Sequence, residues 1–113
     1  MVKISGAARR VTIYIVESDR WHGMPLYHAI VLKARETGMA GATVIRAIEG
    51  FGATQRVHAA HLTDLSSDLP VVVEVIDSVA HIEHFLQEVD PMMRGGLITV
   101  EDIQEYVYRA AEK

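Results

Sequence analysis

Apolar positions along this chain change their period from two to nearly four and back, and each change marks an element boundary. In residues 10–17 (RVTIYIVE), Val11, Ile13 and Ile15 fall on one side of an extended chain and Thr12, Tyr14 and Val16 on the other. The β-branched content predicts a strand with apolar groups on both faces. Leu26, Ile30 and Ala34 then recur four apart, with Tyr27 and Val31 widening the stripe. That spacing predicts a helix over residues 25–37, with Pro25 at its first position and Gly38 ending it. Residues 42–49 (ATVIRAIE) read as a second strand, with Arg46 on the face of Val44 and Ile48, and Gly50-Phe51-Gly52 interrupts it. Over residues 53–67 the periodicity dissolves into a polar loop that carries His58 and His61 and has room for a short extra strand.

Pro70 leads into a strand over residues 71–76 (VVVEVI), and Ser78 can cap the helix that follows. Val79, Ile82, Leu86 and Val89 form its core stripe, with Phe85 beside them, and Asp90-Pro91 closes it. Gly95-Gly96 turns the chain into residues 97–100 (LITV). Beyond Glu101 either a strand or a short helix fits, and a strand to about Tyr108 is favoured. The order β-α-β, loop, β-α-β predicts a single α+β domain over residues 1–113, a four-stranded antiparallel sheet with two helices on one face. The other sheet face then needs cover, and a partner subunit is the expected cover.

Composition narrows the function classes. The formal charge is −4 and the only adjacent basic pair is Arg9-Arg10, so the basic face that nucleic acid requires is absent. There is no cysteine, which excludes disulfides, thiolate metal sites and cysteine nucleophiles. No apolar run approaches the ~20 residues that would insert in a bilayer. The first ten residues lack a signal-peptide core, so a cytoplasmic protein is expected. Gly50-Phe51-Gly52 matches no phosphate-loop motif; it fits either a close backbone approach to a ligand or a strand end. No serine sits in a nucleophile elbow, and no catalytic residue, metal ligand or cofactor is assigned. His81, His84 and Glu88 have a spacing that can share a metal, but the same spacing describes a solvated helix face.

Three segments resemble the PII-like superfamily, in particular its PII-like branch of unknown function. They are residues 21–52 (WHGMPLYHAIVLKARETGMAGATVIRAIEGFG), 68–76 (DLPVVVEVI) and 95–101 (GGLITVE), which with their spacing cover nearly the whole chain. The resemblance implies a ferredoxin-like βαββαβ fold and a homotrimer. It also implies a small-molecule effector, typically an adenine nucleotide, in clefts between subunits, and regulation of a partner such as a membrane transporter or an enzyme. On this resemblance the cleft falls to Gly50, Phe51 and Gly52, the loop to about His61, and Arg94, Gly95 and Gly96. Arg46, Arg56 and Arg94 become the expected anion contacts, and His58 a donor to phosphate or ribose.

The chain departs from signal-transducing PII proteins at three points. The 53–67 loop is short, Leu97 stands where they carry lysine, and Arg109 is the only basic residue late in the final strand. A mononucleotide or a less charged ligand is therefore expected over a triphosphate. Two other readings remain open: a divalent-metal-binding trimer using His58, His61, His81 and His84, and a protein-interaction module without a small ligand.

Overall fold

The computed structural model describes residues 2–60 and 68–110. Strand β1 (Val2–Val16) is followed by a small hairpin of β2 (Arg20–Trp21) and β3 (Met24–Pro25), then helix α1 (Leu26–Glu36) and β4 (Ala42–Arg46). A second small hairpin joins β5 (Glu49–Gly50) to β6 (His58–Ala59). Strand β7 (Pro70–Asp77), helix α2 (Val79–Val89), a 3-10 turn (Asp90–Met92) and β8 (Leu97–Arg109) complete the described chain. The main sheet has the order β4-β7-β1-β8 with every neighbour antiparallel. Each helix thus links two strands with a third between them, which is the interleaved arrangement that the element order predicts.

The core lies between the sheet and both helices. Val11, Ile13 and Ile15 of β1 stand opposite Val75, Val73 and Val71 of β7, and all six are buried. Helix α1 adds Leu26, Ala29, Ile30 and Ala34; helix α2 adds Ile82, Phe85 and Val89. Removing each large side chain from water contributes about 1.5–3 kcal/mol. At the entry to α2, Ser78 Oγ accepts the His81 N–H at 3.3 Å. The carboxylate of Asp77 accepts the N–H groups of Ser78 (2.6 Å) and Ala40 (2.9 Å) and lies 3.0 Å from His81 Nδ1. Burial acts to raise the Asp77 pKa, but the bonds from Ser78, Ala40 and His81 together outweigh it and hold that pKa below its ordinary value.

Three elements differ from the pattern reading. Pro25 is not the first helical residue: with φ −57° and ψ 134° it is extended and pairs with Arg20, and α1 begins at Leu26, whose N–H bonds Asp19 O at 2.7 Å. The second strand ends at Arg46 rather than residue 49, because Glu49 and Gly50 leave the sheet to pair with Ala59 and His58. That pairing is the short extra strand for which residues 53–67 had room. Strand β1 begins at Val2 rather than residue 10, and β8 runs as a strand to Arg109.

Residues 2–8 of β1 pair with 103–109 of β8 beyond the reach of β7, whose pairing with β1 starts at Arg9. This ribbon projects from the sheet and stretches the molecule to 49 × 28 × 27 Å. On the helix-free face, Ile45, Val72, Tyr14 and Leu97 stand in one row across all four strands. Ile45, Tyr14 and Leu97 are about half exposed there, at 52%, 45% and 56%.

Candidate functional site

The main sheet ends where β1 stops and where β7 and β8 begin, and three backbone turns gather there. Glu17 N–H bonds Leu69 O at 2.9 Å, tying the exit of β1 to the entry of β7. Ala47 N–H bonds Pro70 O and Ala60 N–H bonds Ile48 O, both at 2.9 Å, which folds the β5–β6 hairpin over that entry. The Gly95-Gly96 turn closes the third side. Gly96 has φ +89°, and a Cβ on it would lie 2.4 Å from Tyr14 O, so only glycine lets this turn press against β1.

These turns enclose an open cavity of about 870 Å³. Its floor is Tyr14, Ile15, Val16, Pro70 and Val72 from the strand ends. One wall is Glu49, Gly50 and the loop from Phe51 to Thr54, with Arg56 and His58; Asp19, Gly95 and Gly96 complete the rim. Phe51 is 64% exposed, so an aromatic face is presented to whatever enters. The two glycines of the loop have different roles. A Cβ on Gly50 would meet Pro70 Cγ at 3.0 Å, whereas one on Gly52 would meet nothing within 4 Å and Gly52 has no positive φ. Neither packing nor backbone therefore requires glycine at 52; what its missing side chain leaves is room.

Ser18 and Asp68 form a bonded pair beside the cavity residue His58. Ser18 Oγ donates to Asp68 Oδ2 at 2.7 Å, and Ser18 N–H donates to Asp68 Oδ1 at 2.8 Å. His58 Nδ1 lies 3.9 Å from the same Asp68 Oδ2, with its side chain only 14% exposed. The carboxylate stands between serine and histidine, the reverse of the order in which an imidazole would take a serine proton. Asp68 is hydrogen-bonded to Ser18, while His58 lies beyond hydrogen-bond reach of it.

Of the nine residues that the sequence nominates, Gly50, Phe51, Gly52, Arg56, His58, Gly95 and Gly96 line this one cavity. Arg46 and Arg94 do not. Arg46 turns to Glu17, whose Oε2 accepts its Nε–H at 2.8 Å, and Arg94 is exposed outside the lining. His61 lies outside the described residues. The pattern reading missed Tyr14, Asp19, Glu49, Pro70 and Val72; their signal was position, since all lie at or within a few residues of a strand end. Among the described residues no group of three His, Asp or Glu side chains is placed to hold a metal ion. His81 faces Asp77 and His84 lies 4.0 Å from Glu88, as separate pairs along α2.

Residues 8–105 match the DUF190 family, described as "Uncharacterized ACR". A UPF0166 protein of Aquifex aeolicus is 42% identical over 92 residues, covering 81% of this chain and 87% of that protein. A UPF0166 protein of Methanocaldococcus jannaschii is 31% identical over 100 residues, covering 88% and 92%. Among solved structures, the fold is similar to that of CPII, a nitrogen regulatory PII-like protein of Thiomonas intermedia K12 bound to ADP, AMP and bicarbonate. The TM-score is 0.69 at 15% identity, over 90% of this chain and 91% of that one.

Proposed function

This chain belongs to the DUF190 family and has the PII-like fold, and on that premise we propose that it is a regulatory protein that binds an adenine nucleotide in the cavity at the ends of β1 and β7. The observation that carries this reading is the cavity itself: about 870 Å³ of largely apolar space between Tyr14 and Phe51, with Gly52 leaving an unfilled approach. A flat base fits between such surfaces, and Arg56 supplies a guanidinium for phosphate. His58, which lines the cavity, supplies a ring nitrogen for a ribose or phosphate oxygen. Ser18 has its hydroxyl proton committed to Asp68, which favours binding over nucleophilic chemistry at this serine.

The same reading includes a homotrimer. The exposed row Ile45, Tyr14 and Leu97 and the projecting β1–β8 ribbon, which exposes Val2, Ile4, Tyr106 and Tyr108, are apolar surfaces that a second copy covers. Closure by a neighbouring subunit then turns the open cavity into a cleft, and a ligand-dependent change in the segment that follows Gly52 alters affinity for a partner protein.

Calorimetric titration with adenosine, AMP, ADP and ATP tests the ligand, and light scattering tests the trimer. Gly52→Val fills the open space without a backbone conflict, and Arg56→Ala removes the guanidinium; both are expected to abolish binding while the assembly persists. Normal binding by both variants would move the ligand elsewhere and end this assignment. A monomer in solution would end the trimer.

A further inference from the structure

Resting on the nucleotide reading of the cavity, we propose that Asp19 and Glu49 act as a charge filter: the site favours an adenine ligand with at most one phosphate over di- and triphosphates. The sequence supplies three arginines for anion contact, but only Arg56 lines the cavity. The same lining holds the carboxylates of Asp19 and Glu49, so its described part carries a formal charge of −1 when His58 is neutral. That balance holds however the individual charges are bonded to one another. Asp19 is also built in place. Its Oδ2 accepts the Val16 N–H at 2.9 Å and its carbonyl accepts the Leu26 N–H at 2.7 Å, so both its backbone and its carboxylate have a bonded position at the rim.

Apart from Thr54 and His58, the remaining floor and walls are apolar or aromatic and suit a heterocycle rather than an anion. One guanidinium can bond one phosphate through two parallel N–H groups. A second or third phosphate then enters a region that holds two carboxylates and no further cation from the described lining. For like charges several ångströms apart near solvent, each added phosphate weakens binding roughly tenfold, which is about 1.4 kcal/mol.

The test measures dissociation constants for adenosine, AMP, ADP and ATP in EDTA, which keeps magnesium from neutralising the phosphates, at one fixed pH. Wild type is expected to weaken roughly tenfold from AMP to ADP and again to ATP. Salt at about 0.5 M screens repulsion and should narrow the AMP-to-ATP ratio. A site that attracted polyphosphates would respond with the opposite sign. Asp19→Asn with Glu49→Gln should narrow the same ratio at low salt; the amide oxygen in Asp19→Asn can still accept the Val16 N–H, and circular dichroism checks folding. ATP binding as tight as AMP, or a ratio that widens with salt, overturns the filter and leaves the nucleotide site standing. If adenosine and all three nucleotides fail to bind wild type, the site and the filter fall together.

Discussion

Gly96→Ala probes the contact that shapes the cavity rim. Two costs are legible in the structure. The residue has φ +89°, where an L side chain is strained by about 1–2 kcal/mol. Its Cβ would also lie 2.4 Å from the Tyr14 carbonyl oxygen, well inside contact distance, with Ile15 Cγ2 at 3.2 Å behind it. The obstacle is backbone in the most extensively paired strand of the sheet, so the turn rather than the strand must move, and overpacking of this kind costs about 1–3 kcal/mol. Together the expected loss is about 2–5 kcal/mol. At about 4 °C per kcal/mol for a domain of this size, the melting temperature should fall by roughly 8–20 °C. Thermal denaturation followed by circular dichroism at fixed protomer concentration measures it. Gly95→Ala is the internal control: its Cβ meets nothing within 4 Å and its φ is not positive, so its melt should stay close to the parent. If Gly96→Ala melts within about 2 °C of the parent, the Tyr14 carbonyl does not press on this turn and the rim is not built as described.

Other substitutions address the core and the junction at Asp77. Phe85 is fully buried between α2 and the sheet, and Phe85→Ala should cost about 3–5 kcal/mol in urea denaturation; a loss below about 1 kcal/mol would mean that α2 is not packed there. Because the Asp77 pKa is depressed on folding, its ionised form stabilises the protein fully above its ordinary value of 3.8, and that contribution drains away as pH falls through the depressed value. Asp77→Asn should therefore be less stable than wild type near pH 7, and the gap should shrink as pH falls below 3.8. A gap that stays constant across that range would remove the charge from the explanation and leave only the shape of the junction.

Much of the architecture was legible because its segments obey one rule at a time. The odd positions of β1, the stripe of α2 and the Ser78 cap each read directly from spacing. What the pattern hid was pairing. Residues 2–8 (VKISGAA) have too many small residues to show an alternation, and they are strand because β8 lies beside them. Pro25 looked like a helix start by residue type, yet its partner Arg20 draws it into a hairpin. The cavity was half visible for the same reason. Glycines and basic residues announce themselves, whereas Tyr14, Pro70 and Val72 acquire a role only when three strand ends meet. Arg46 shows the reverse: a cation plausible by type is engaged by Glu17 from another segment, and no local pattern reveals that bond.

The long ladder between β1 and β8 carries its own length standard. Thirteen residue pairs join the two strands, from Val2 opposite Arg109 to Tyr14 opposite Leu97, and the stretch from Ser5 to Ala8 offers little to stop one strand sliding along the other. Arg9 stands opposite Asp102 and Arg10 opposite Glu101, and both pairs are bonded. A slip of one residue would turn every side chain to the wrong face. A slip of two would set Arg9 against Gln104 or Val100, and Arg10 against Ile103 or Thr99, leaving four charges without their cross-strand partners. Those two bonds work like the teeth of a ratchet. They hold the ribbon tip at one distance from Tyr14, so that whatever grips the tip is set at a constant offset from the cavity roughly 40 Å away.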